Sequence, residues 1–372
     1  MKLIECYYQC SFDHFSSDIA GIKALLAIQP DIAVVEPTGV NYSKIWIHHL
    51  TRIGVEIRFV GHKELRNYRM HQLGLPDKDD DGDSLALACY YFDYQNSPWR
   101  FLKIRDPLAS QIREMVLRLA HLNRVRSPIV NRTRQDLAWQ FPEIALRRSV
   151  IGRQGTIPLL WGWLAEQRIS KKYDDLYKNT AGLGITNTVR YHARRLCSLY
   201  EEEIEIEAQL KQLLQHPNFA KYLAVFEQFQ FGQRLQAWLI SQLFPFETFL
   251  ENNQPIVIER RGRFSGKPTK RHLSLRKFQK TLGVAPSAES SGDIHRQKVT
   301  DGSSVCRKAL WQWVFTAIEP RTKRPKNQIG KFLGDYLDSQ KALGIPVQLV
   351  RSRTAVKGVK LLFGELVREF CK

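Results

Sequence analysis

Short apolar runs of strand character alternate with helical ones along the first hundred residues. LIECYYQC (3–10) and DIAVVE (31–36) read as strands, IAGIKALLAI (19–28) and YSKIWIHHLTRI (42–53) as helices, and VEIRFV (55–60) as a further strand. That alternation predicts an α/β sheet domain. A helical period resumes in DSLALACYYF (83–92), and the turn residues Asn96 to Pro98 lead to a boundary near residue 103. From Pro107 to about Gln140, Leu108, Ile112, Met115, Leu119 and Leu122 recur at helical spacing, while Arg113, Arg118, Arg124, Arg126, Arg132 and Arg134 supply a basic surface. A second long helix over 187–215 carries Val189, Ala193, Leu196, Tyr200, Leu210 and Leu213, with Glu201, Glu202, Glu203, Glu205 and Glu207 in its middle. This acidic run could pair with the basic arm, meet a second subunit, or simply face solvent. Further on, VCRKALWQWVFTAI (305–318) reads as a buried helix, followed by the loop PRTKRPKNQ and two closing helices. The pattern thus gives three parts: an α/β domain over 1–103, a helical arm over 104–216, and a mostly helical C-terminal domain over 217–372.

Composition sharpens this picture in one direction. The formal net charge is +19 over 372 residues, far beyond what solubility requires, so a polyanionic partner is expected and nucleic acid is its first candidate. No run approaches the roughly 20 apolar residues that span a bilayer, and the opening lacks the apolar core of a signal peptide, which reads as a cytoplasmic protein. Cysteines at 6, 10, 89, 197, 306 and 371 form no CxxC pair and read as buried thiols. The histidines show no HxxxH spacing, so zinc is not expected. The charge is densest in 260–280, RRGRFSGKPTKRHLSLRKFQK, with nine Lys or Arg and no acid. Its candidate nucleic-acid contacts are Arg260, Arg261, Arg263, Lys267, Lys270, Arg271, Arg276 and Lys277, joined downstream by Arg296.

Two places could carry chemistry. Glu36 ends the strand IAVVE, where α/β domains place their sites, and Asp80 and Asp83 stand three apart at a helix start. Clustered carboxylates repel unless a cation relieves them, and a pair of Mg²⁺ ions suits phosphodiester chemistry. The plain alternative is a helix N-cap cluster, the role assigned to Asp79 and Asp81. In the C-terminal part Ser291 precedes Gly292, with His295, Arg296 and Lys298 close by to hold a phosphate beside a nucleophilic hydroxyl; Ser290 is the alternative nucleophile. A Ser-Gly pair is also an ordinary loop feature.

In order along the chain, VVEPTGVNYSKIW, GVEIRFVGHKELRNYR, LGLPDKDDDGDSLALACYY, LGVAPSAESSG and DGSSVCRKALW resemble blocks of the DEDD transposases of the IS one-ten and IS eleven-eleven insertion sequences, relatives of Piv-type DNA invertases. The resemblance implies a RuvC-like, RNase H-type domain in which Glu36, Asp80 and Asp83 hold two Mg²⁺ ions, and Ser291 as a nucleophile that becomes covalently linked to DNA. It further implies a noncoding bridge RNA that selects the DNA partners, and a homo-oligomer in which one subunit's serine works with another's carboxylates. Two departures stand out. The family's first Asp lies on an opening strand of the form G-[IF]-D, whereas KLIECYYQCSF looks like the second strand; neither Glu5 nor Asp13 replaces that Asp. The chain therefore reads as lacking the first strand, through a late start or decay, with its activity in question. In FEQFQFGQRLQAWL only Gly232 remains of a hairpin G-[IV]-G turn. The competing readings are a nonenzymatic nucleic-acid binder and a RuvC-like metal-dependent nuclease.

Overall fold

A computed structural model describes residues 3–37, 42–102, 104–152, 155–262, 266–291, 294–299 and 301–372, with the backbone alone at 3, 4, 6, 287–291 and 294–298. The chain divides into two compact units, Met1–Arg105 and Asp106–Lys372.

The first unit runs α1 (Leu3–Gln9), α2 (Ile19–Ala27), β1 (Ile32–Val35), α3 (Lys44–Arg52), β2 (Glu56–Phe59), α4 (His62–His71) and α5 (Asp80–Tyr94). Local signals set most of these boundaries. Asp18 caps α2 by accepting from the Gly21 N–H at 2.9 Å, and Asp79 caps α5 by accepting from Gly82 at 2.5 Å. Between α3 and β2 the chain reverses at Gly54, whose φ of +87° suits glycine. β1 and β2 pair in parallel, Ile32 opposite Glu56 and Val35 opposite Phe59. Two small cores result. Leu50, Val55 and Ile57 form one, and Val60, Leu65, Tyr68, Leu73, Leu75, Ala86, Tyr90 and Phe101 form the other.

This corrects the expected RuvC-like, RNase H-type sheet. Among the described residues the sheets are four separate two-stranded pairs, and only β1–β2 lies in the first unit. The run at 3–10 folds as helix α1 rather than a strand. Its apolar positions, Leu3, Ile4, Tyr7 and Tyr8, recur at i, i+1, i+4 and i+5, a period that a helix satisfies as well as a short strand does. Tyr7 packs against the larger core of this unit, and its hydroxyl donates to Asp79.

The second unit is helical with three small hairpins. The arm α6 (Pro107–Gln140) is about 50 Å long at 1.5 Å per residue. After α7 (Pro142–Ala145), α8 (Leu159–Leu164) and α9 (Lys171–Lys178), helix α10 (Asn187–Leu214) packs back along it. The acidic run of α10 faces the arginines of α6. Arg118 Nη2 donates to Glu202 at 2.9 Å, and buried Glu203 accepts from both Arg126 and Arg234. Arg234 also donates to Glu207 at 2.6 Å.

Then follow α11 (Ala220–Gln228), α12 (Gln233–Leu243), hairpin β3–β4 (Leu250–Glu251, Gln254–Pro255), hairpin β5–β6 (Val257–Arg261, Pro268–His272), α13 (Leu273–Thr281), hairpin β7–β8 (Ser287–Ser291, Ile294–Lys298), α14 (Ser304–Trp313), α15 (Gln328–Ala342) and α16 (Val347–Phe370). The segment read as a buried helix at 305–318 is α14 continued by a π-helical turn, Val314–Ile318. A large core rich in Phe and Leu, including Phe226, Phe246, Phe278, Leu310, Leu333 and Leu362, joins α6 to α10–α16. Of the cysteines read as buried, Cys197 and Cys306 are; Cys10 is exposed, and Cys89 and Cys371 are half-buried. Among the described residues no helix is long and apolar enough to cross a membrane.

Candidate functional site

In the first unit Glu36 directly follows β1, so the strand carries its carboxylate to the strand's C-terminal end. There a cavity of about 410 Å³ is lined by Glu36, by His62, Leu65, Arg66, Arg69 and Met70 of α4, by Pro76 and Lys78, and by Asp83 from the first turn of α5. The spacing of His62, Arg66 and Arg69 places all three along one side of α4. Glu36 is bonded to His62 Nδ1, and Asp83 Oδ1 lies 2.9 Å from Arg69 Nε. Arg69 is 4% exposed, and its Nη1 is buried with no hydrogen-bond partner. Burial raises the Asp83 carboxyl above the ordinary aspartate value; Arg69 pulls it down, and the neighbouring Glu36 charge pushes it up again.

Glu36 and Asp83 are therefore brought together, whereas Asp80 is exposed and does not line the cavity. Asp79 serves as the helix cap, and Asp81 lies 3.4 Å from His14. A two-ion site of hard cations requires several oxygen donors converging on one region. Among the described residues no group of three or more His, Cys, Asp or Glu side chains is placed to hold a metal. The two carboxylates that do converge are each engaged by a basic side chain. This donor set does not fit two divalent cations. Thr38 and Gly39, beside Glu36, lie outside the described residues.

The C-terminal candidates fall on two hairpins flanking α13. In β5–β6 the register pairs Ile258 with Arg271, Glu259 with Lys270, Arg260 with Thr269 and Arg261 with Pro268, and every strand residue is exposed. Directly paired residues share a face, so Arg260 and Arg271 project from one side and Arg261 and Lys270 from the other. None of these four forms an ion pair among the described residues. Lys267 directly precedes β6, and Arg263 lies outside the described residues. Lys277 is committed within the unit, donating to the Thr248 carbonyl at 2.6 Å. Arg276 lines a cavity of about 350 Å³ with His272, Gln279, Pro286 and Lys360.

Ser290 and Ser291 lie on β7, opposite His295 and Ile294 on β8. The side chains of both serines and of Arg296 lie outside the described residues. The base of this hairpin is closed by two glycines. Gly283 and Gly302 both have positive φ (+71° and +77°), and a Cβ on Gly302 would fall 1.8 Å from the Lys280 carbonyl. Only glycine permits the two chain segments to meet this closely. Arg307 ties the base from α14, its Nη1 donating to the Gly283 carbonyl at 2.8 Å, and Ser303 caps that helix through the Cys306 N–H.

Two residues of these sites were not singled out by sequence. Arg69 continues the buried stripe Leu65, Arg69, Leu73 at four-residue spacing, and a charged residue on the apolar stripe of a helix was the available signal. Arg307 was visible as part of a motif, but its bond to Gly283 joins residues 24 apart and leaves no local pattern.

Residues 265–328 match the model of the Transposase IS116/IS110/IS902 family. The matched stretch holds β6, α13, the serine hairpin, the Gly283–Gly302 base and α14. No curated protein matches the chain.

Proposed function

We propose that this chain is a transposase polypeptide that binds nucleic acid through the β5–β6 hairpin and joins DNA to Ser291. The observation that carries this reading is the transposase-family match over 265–328, which takes in Ser290, Ser291 and the glycine base. The exposed basic charge of the hairpin supports it, since Arg260, Arg261 and Arg271 form no ion pair among the described residues and are available to phosphates.

In the proposed step Ser291 Oγ attacks phosphorus and the bond from phosphorus to one bridging ester oxygen breaks. The serine proton leaves, the departing oxygen takes up a proton, and a phosphoserine ester to DNA remains. The glycine base and Arg307 fix where the hairpin stands. The test is incubation of the purified chain with labelled element-end DNA, the element's noncoding RNA and Mg²⁺, followed by denaturing electrophoresis. A protein–DNA adduct lost in Ser291→Ala is expected; an adduct that survives Ser291→Ala but not Ser290→Ala reassigns the nucleophile, and none in any variant refutes strand transfer.

A second reading, a nucleic-acid binder without strand transfer, is favoured by one observation. Glu36 and Asp83 each lie against a basic residue, His62 and Arg69. It predicts salt-sensitive DNA or RNA binding with no adduct.

A further inference from the structure

We propose that the cavity of the first unit is a receptor for a phosphate oxyanion of a nucleic-acid strand, with Arg69 as its buried ligand and His62, Arg66 and Lys78 at its rim. The nucleic-acid source rests on the reading above; the oxyanion chemistry stands on the cavity itself. Arg66, Arg69 and Lys78 face two carboxylates there, so basic groups outnumber acidic ones in the lining without counting His62. Asp83 Oδ1 stands 2.9 Å from Arg69 Nε as an ion pair without hydrogen-bond geometry, and a guanidinium carries five donors.

Nε and Nη1 are both left buried without a hydrogen bond, and an unpaired buried donor is destabilising. A phosphate, like a carboxylate, presents a guanidinium with two oxygens that accept two parallel bonds. Glu36 and Asp83 then act by holding His62 and Arg69 in place. Their negative charge weakens binding of a free anion and makes the rim cations necessary. The cavity has room for a phosphodiester with its adjoining sugar.

The test uses the full chain carrying Arg260→Gln and Arg271→Gln, which lowers binding at the hairpin, in EDTA with pyrophosphate as the calorimetric probe. Binding is expected, weakened about tenfold or more by Arg69→Gln, since a hydrogen bond to a charged group contributes about 1.5–3 kcal/mol, and less by Arg69→Lys. Should Arg69→Gln fail to fold, Arg66→Ala with Lys78→Ala decides, because both residues are exposed; it too must weaken binding. A short single-stranded oligonucleotide must displace pyrophosphate. No metal-free binding, binding indifferent to these variants, or failure of the oligonucleotide to compete overturns the proposal. An adduct at Ser291 without pyrophosphate binding defeats the cavity alone, and pyrophosphate binding without an adduct defeats strand transfer alone.

Discussion

The arm α6 and the hairpin β5–β6 are both rich in arginine, yet their electrostatics differ. On the arm Arg118 and Arg126 meet Glu202 and Glu203 of α10, and Arg132 meets Asp136 one turn on. On the hairpin Arg260, Arg261, Lys270 and Arg271 stand exposed and unpaired among the described residues. On the arm Arg118 and Arg126 are engaged in joining α6 to α10, whereas the four hairpin cations are available to a ligand. Net charge announces a polyanion partner without locating it; the location comes from asking which cations already have partners.

Removing Glu203 should break the comparison most severely. Glu203→Ala leaves Arg126 and Arg234 without their shared buried carboxylate, and losing one partner of a buried ion pair costs about 3–5 kcal/mol. Urea unfolding should show that loss, while DNA affinity of the folded fraction stays unchanged. The converse variant, Arg260→Gln with Arg271→Gln, should change stability by no more than about 0.5 kcal/mol. It should lower the slope of log affinity against log salt by about 2, since each phosphate that a cation neutralises adds about 0.9 to that slope. Arg118→Gln should leave the slope unaltered, and an equal change in both would show the arm to be a nucleic-acid surface as well.

The smallest effect is acid sensitivity. Hydrogen bonds from Arg351 and Lys341 hold the Glu319 carboxyl below its usual value; Arg324 does the same for Asp338, and Arg118 for Glu202. A depressed carboxyl adds stability that is complete above its unfolded value, 4.5 for Glu and 3.8 for Asp, and is lost as pH falls through the folded value. The urea midpoint should therefore drop below about pH 4.5, and less so in Arg118→Gln, where Glu202 has lost its partner.

Much of the helical structure was legible in periodicity. The stripe Leu108, Ile112, Leu119, Leu122 marks α6, and the apolar positions of 187–215 mark α10. The sheet was misread because three short apolar runs suggested three strands. Two became β1 and β2, and the third, Leu3–Gln9, became helix, so among the described residues the pair is extended only by an isolated bridge from Leu102 to Phe59. The family resemblance grouped Glu36, Asp80 and Asp83 as one carboxylate set, but Asp80 is exposed at the start of α5 and does not line the cavity that Asp83 lines. Arg69 escaped notice because its importance lies in burial and in an absent hydrogen bond, neither of which a residue type displays.

Strand transfer by Ser291 is tested most directly by locating the attached nucleotide. Trypsin should release residues 281–296, TLGVAPSAESSGDIHR, from the denatured adduct. The expected result is this peptide carrying a phosphate-linked nucleotide on Ser291, seen by tandem mass spectrometry and absent from Ser291→Ala. A nucleotide on another residue, or an unmodified 281–296 peptide in a preparation that binds the same DNA, would contradict it.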